Sequence, residues 1–132
     1  MIQVLLDTNF LILCIKQRIH FDEEIKELIP EAEIVIPTQV ILELKKMSED
    51  EEKKYRLEDR ERASLAIQLI KKYKEIKRKG KYADKAIIHY AEEKNYRKEK
   101  LFVATIDAEL ARKLQELTRI IKIRGLKKLI IE

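Results

Sequence analysis

Four short apolar runs constrain this chain most: QVLLD at 3–7, AEIVIP at 32–37, LFVAT at 101–105 and RIIKI at 119–123. Each is continuous rather than alternating in polarity, the pattern of a strand buried on both faces. KKLIIE at 127–132 suits a short edge strand after a turn at Gly125. Helical periodicities separate the strands. One covers 21–29; a second, capped by Thr38, carries Val40, Leu44 and Met47 on one stripe. A long amphipathic helix is expected over 56–79, with Leu65, Leu69 and Ile76 among its apolar residues, and further helices over 83–94 and 108–117. This alternation predicts an α/β fold, a central, mostly parallel sheet of four to five strands with helices on both faces. The charged run MSEDEEKKYRLEDRER at 47–62 reads as a solvated loop leading into the long helix.

A chain of 132 residues can bury one core without staples, so one domain over 1–132 is expected. The single cysteine, Cys14, lies in an apolar run and excludes a disulfide framework or a cysteine-based zinc ribbon within the chain. No segment approaches the roughly eighteen uninterrupted apolar residues of a membrane span, and the first residues lack the pattern of a secretory leader. No membrane association and a cytoplasmic location are expected. Charged residues make up 40% of the chain, with a net charge of +5. That balance permits a nucleic-acid partner without requiring one.

The chemistry-bearing residues are acids. In open parallel sheets, ligands bind outside the carboxyl ends of the strands. Asp7 follows the first strand directly and Asp107 follows the third after VATI, so both leave the sheet on one edge. Asp107 is also well placed as a helix N-cap. Glu43 falls three residues after Val40 and four before Met47, on the apolar stripe rather than the solvent face. Asp84 has Ile87 and Ile88 at +3 and +4. Taken together, such carboxylates point to a site for hard divalent cations such as Mg²⁺ or Mn²⁺, which take oxygen ligands. The histidines, His20 and His89, lie far apart and read as ordinary surface or helix residues. No glycine-rich phosphate loop is present.

LLDTNFLI, IPTQVILELKK, YADKAIIHYA and VATIDAELARKL, in this order, resemble the four acidic motifs of PIN-domain ribonucleases. The resemblance covers nearly the whole chain. It implies a three-layer α/β/α sandwich and Mg²⁺- or Mn²⁺-dependent cleavage of RNA that leaves a 5′-phosphate and a 3′-hydroxyl. It assigns Asp7, Glu43, Asp84 and Asp107 as metal-binding and catalytic acids, and Asn9 and Thr105 as supporting polar residues. DTNFL and the closing IIKIRGLKKLIIE resemble the archaeal and eukaryotic branch that processes small-subunit ribosomal RNA. The sequence departs from that branch at Lys85, where a second acid is common, and at Ile106, where a polar residue is. Ribosomal RNA or its precursor is the expected substrate, with a ribosome-assembly partner. The alternatives are a VapC-type toxin ribonuclease held by an antitoxin, and a non-catalytic RNA-binding or assembly module. A homodimer is marked only by apolar residues on the long helix.

Basic residues crowd the stretch before Asp84: Lys71, Lys72, Lys74, Lys77, Arg78, Lys79, Lys81, with Lys85 just after. A second group comprises Arg119, Lys122, Arg124, Lys127 and Lys128. Lys79, Lys81, Lys85 and Arg124 are the candidate RNA contacts, through phosphates and with strong salt dependence. Tyr73 and Tyr82 are candidates for stacking on unpaired bases.

Overall fold

The computed structural model describes residues 1–125 and 127–132. Its elements run β1 (Gln3–Leu6), α1 (Thr8–Lys16), α2 (Phe21–Leu28), β2 (Glu33–Pro37), α3 (Thr38–Ser48), α4 (Leu57–Ile70), β3 (Lys74–Ile76), α5 (Ala83–Tyr96), β4 (Leu101–Ala104), α6 (Ala108–Leu114), β5 (Arg119–Arg124) and β6 (Lys128–Ile131). The sheet order is β3-β2-β1-β4-β5-β6. All neighbours pair in parallel except β5 and β6, an antiparallel pair whose turn holds Gly125 at φ +63°.

Strand residues divide by parity, as the two-residue period of a strand requires. Val4, Leu6, Ile34, Ile36, Phe102 and Ala104 pack with Phe10 and Leu11 of α1, Ile25 of α2, Val40 and Leu44 of α3 and Ala63 and Ala66 of α4. Leu5, Val35, Val103 and Ile120 face the opposite way, onto Ile87 and Tyr90 of α5 and Leu110 and Leu114 of α6. Two cores on one sheet make the three-layer α/β/α sandwich. They also explain why the strands read as unbroken apolar runs.

The stretch expected as one helix over 56–79 is a helix and then a strand. α4 stops at Ile70, and Lys74–Ile76 adds β3 to the outer edge of β2, a sixth strand. A helix through this segment would align Lys71, Lys74 and Arg78, and like charges at such spacings are destabilising. The open edge of β2 offers backbone hydrogen bonds instead. Tyr73 then packs on Phe21, its hydroxyl donating to Asp22 and Lys72 pairing with the same carboxylate. Tyr73 is thereby committed to packing rather than base stacking. The Thr38 hydroxyl does not cap α3; it donates to Glu75 Oε2 (2.7 Å) and to the Ile76 carbonyl (3.2 Å), fastening the end of β3.

Leu42 of α3 and Leu57, Leu65 and Leu69 of α4 remain exposed. Among the described residues, no helix is long and apolar enough to cross a membrane. Cys14 is buried, and burial, reinforced by the charge of Glu24, pushes its thiol up to about 12. That leaves it protonated and unreactive.

Candidate functional site

Five parallel strands deliver their carboxyl ends to one edge, and the acids emerge there. Asp7 follows β1, its backbone N–H still bonded to the Ala104 carbonyl of β4 (3.0 Å), and it caps α1. Its Oδ1 accepts from the Thr8 N–H at 2.9 Å and its Oδ2 from the Thr105 hydroxyl at 2.8 Å. Thr105 Oγ1 in turn accepts the Asp107 N–H at 3.1 Å. On the other side, the Thr8 hydroxyl donates to Glu43 Oε1 at 2.6 Å. One chain of contacts therefore runs Glu43–Thr8–Asp7–Thr105–Asp107 across β1, α3 and β4.

Asp107 also performs the structural task its position suggests. It caps α6, with Oδ1 accepting from the Glu109 and Leu110 N–H groups at 2.9 and 3.1 Å. Asp7 is buried at 9% exposure, so ionising it is costly. Burial raises its pKa above the ordinary carboxylate value. The hydrogen bonds from Thr105 and Thr8 oppose that rise, and the nearby charges of Glu43 and Asp107 add to it.

The remaining candidates lie at different places along the edge. Asp84 is exposed in the first turn of α5, outside the chain of contacts around Asp7. Asn9 is exposed on α1; the residue that joins two acids, by its hydroxyl to Glu43 and its N–H to Asp7, is its neighbour Thr8, which is 4% exposed. Thr8 is the residue sequence reasoning missed. Its signal was a hydroxyl inside the apolar run LLDTNFLIL, where a polar group needs a partner.

Lys79, Lys81 and Lys85 line a cavity of about 640 Å³ beside the loop that follows β3. Lys85 turns toward Tyr82, its Nζ 5.6 Å from the ring centroid, and makes no ion pair with Asp84 or Asp107. His89 lines the same cavity. Arg124 ends β5, so it stands at the same sheet edge but on the far flank, with β2, β1 and β4 between β3 and its own strand.

The donor chemistry around Asp7 fits a hard divalent cation. Every candidate ligand is a carboxylate oxygen; burial chiefly, with the charges of Glu43 and Asp107 added, makes an ionised Asp7 costly, and a cation offsets both. Among the described residues, no three His, Cys, Asp or Glu side chains stand close enough together to hold an ion as they are.

A family model described as a PIN-like domain matches residues 4–126. Ribonuclease VapC4 of Methanocaldococcus jannaschii is 38% identical over 117 residues, covering 88% of this chain and 85% of that protein. The solved structure of the PIN domain endonuclease Utp24 superposes with a TM-score of 0.75 at 23% identity, over 98% of this chain and 90% of its own. VapBC-1 from nontypeable Haemophilus influenzae gives a TM-score of 0.51 at 17% identity, over 89% and 96%. These last two likenesses concern the fold.

Proposed function

The chain belongs to the PIN-like domain family, and from that premise we propose that it is a metal-dependent endoribonuclease whose single PIN-like domain spans 1–132. What supports this reading most is the chain Glu43–Thr8–Asp7–Thr105–Asp107 at the carboxyl edge of the sheet. Asp7, Glu43 and Asp107 would hold Mg²⁺ or Mn²⁺, with Asp84 joining them or serving a second ion. The ion, when bound, supplies a polarised water and neutralises charge building on the phosphodiester.

The protein's own residues do the rest. The Thr8 and Thr105 hydroxyls hold one oxygen of Glu43 and one of Asp7, respectively, and the carboxylates would draw closer around an ion from there. Asn9, exposed beside them, can meet substrate or water. The lysines beside α5 draw the RNA backbone toward the acids.

Thermal unfolding with and without millimolar Mn²⁺, run alongside an RNA cleavage assay, tests this reading. Metal raises the melting temperature of the wild type, and Asp7→Asn abolishes both the rise and the cleavage. An unchanged melting curve for the wild type, with no cleavage, would favour the non-catalytic module.

Two targets have specific support. The resemblance of DTNFL and IIKIRGLKKLIIE to the branch that processes small-subunit ribosomal RNA favours ribosomal RNA or its precursor, with an assembly partner. Kinship with a protein named as a VapC ribonuclease favours a toxin restrained by an antitoxin. Expression in a heterologous host separates them. Growth arrest that Asp7→Asn relieves marks the toxin; accumulation of a shortened ribosomal RNA precursor without arrest marks the processing enzyme.

A further inference from the structure

We propose that the loop at 77–82, together with the first turn of α5, is a nucleotide clamp in which Tyr82 stacks an unpaired base, Lys79, Lys81 and Lys85 take the flanking phosphates, and Gln39 is the residue that positions the loop. The inference deepens the ribonuclease reading and rests on it for the choice of RNA as ligand. β3 is parallel to β2, so the loop leaves the sheet at the same edge as Asp7 and Asp107. Lys77, Lys79, Lys81 and Lys85 all line its cavity and form no ion pair among the described residues. Arg78 is different in kind. Its guanidinium bonds Glu93 at 2.7 Å and lies 4.9 Å from the Tyr90 ring centroid, which ties the loop to α5.

Tyr82 is 55% exposed, with the Lys81 and Lys85 ammonium groups 5.8 and 5.6 Å from its ring centroid. Both ammonium groups lie over the exposed ring and neither is held by a carboxylate, so an incoming base takes their place on the ring while they move to its phosphates, the division of labour of single-strand binding. A duplex keeps its bases stacked on each other and cannot offer one to the ring.

The loop is held from beneath. Gln39 is 1% exposed, and its Nε2 donates to the Arg78 carbonyl at 2.8 Å and the Gly80 carbonyl at 3.0 Å. Gly80 sits at φ +112°, a conformation that other residues rarely adopt. Gln39 is also one helical turn before Glu43 on α3, so a single turn of helix sets both the clamp and an acid.

The test is fluorescence anisotropy of a labelled RNA strand, alone and in a perfect duplex, with chelator present so that binding is read without cleavage. Tyr82→Ala weakens binding of the single strand about tenfold, Tyr82→Phe leaves it unchanged, and duplex affinity barely moves. Gln39→Ala gives a smaller loss of the same single-strand preference and retains the rise in melting temperature with Mn²⁺. Should Gln39→Ala fail to fold, the exposed Tyr82 pair still decides the clamp. Equal affinity of wild type and Tyr82→Ala for the single strand would overturn the proposal, as would equal losses on strand and duplex. Tyr82-dependent binding by a wild type that cuts no RNA with Mn²⁺ would sustain the clamp and overturn the nuclease reading instead.

Discussion

At the carboxyl edge of the sheet, Asp7 is buried and hydrogen-bonded through both oxygens, whereas Lys79 and Lys81, on the loop two strands away, and Lys85, in the first turn of α5, are exposed and without carboxylate partners. The acids are few, and hydroxyls orient them. The lysines are many, and only the loop's backbone is fixed, through Gln39 and Arg78. In the first region a substitution removes an oriented contact in a low-dielectric place. In the second it removes one charge from a solvated field. Losses should therefore be steep and specific at the acids, and shallow and salt-dependent at the lysines.

The largest effect expected is at Asp7. If a metal contributes several kcal/mol of transition-state stabilisation, Asp7→Ala should lower kcat on the order of a thousandfold. Cleavage kinetics at saturating RNA check this. A loss confined to KM would place Asp7 in binding and break the contrast. Next come the hydroxyls that orient the acids. Thr8→Val keeps the volume and removes the Glu43 tie, and should cost about 10–100-fold in metal affinity or kcat. Isothermal titration with Mn²⁺ measures the first directly. A titration curve identical to wild type would mean that Glu43 is positioned without Thr8.

At the basic loop the expected losses are smaller and of two kinds. Lys79→Ala, Lys81→Ala and Lys85→Ala should each reduce the slope of log affinity against log salt by roughly one, with metal affinity intact. Arg78→Ala should instead destabilise the fold by about 1–3 kcal/mol, because it strips Glu93 and Tyr90 of a partner. Urea unfolding together with salt-dependent binding separates the two kinds. A large change in salt slope for Arg78→Ala, with stability unchanged, would place its guanidinium on phosphate.

How much of this was legible in the sequence follows the same division. Strands such as LFVAT declared themselves because a sheet covered on both faces leaves no polar positions to confuse the pattern. Asp7 stood out because a carboxylate between apolar runs needs an explanation. β3 did not, since three residues at the sheet edge carry too little periodicity, and the lysines around them suit a helix by propensity alone. Thr8 was hidden for a related reason. Its partner Glu43 is thirty-five residues away, and only the adjacency of β1 and β2, from which α1 and α3 depart, brings the two together. Within KRKGK, one-dimensional reasoning could not tell Arg78, locked onto α5, from lysines that face solvent.

The smallest effect expected is in stability against pH, where the acids themselves can be compared. Asp7 has a raised pKa in the folded protein, principally from burial, so the folded state holds that proton more tightly than the unfolded chain. With metal chelated, stability should rise as pH falls from neutrality through the folded pKa of Asp7, and the gain is complete below the ordinary aspartate value. Asp22 runs the other way. Burial pushes it up, but hydrogen bonds from Tyr73, Lys26 and Lys72 outweigh that and leave its pKa lowered. Its support is present above the ordinary value and lost only as pH falls through the lower, folded one. The two windows therefore follow each other, relief at Asp7 first and loss at Asp22 below it. Melting temperatures in chelator from pH 7 down to about pH 3 should show the rise in wild type and a flatter profile in Asp7→Asn, with Asp22→Asn removing part of the acid-side fall. Saturating Mg²⁺ should suppress the rise, because a cation on Asp7 does the proton's work at neutral pH. Superimposable profiles for wild type and Asp7→Asn would mean that Asp7 carries no excess cost of ionisation, and the contrast between buried acid and solvated lysine would lose its energetic basis.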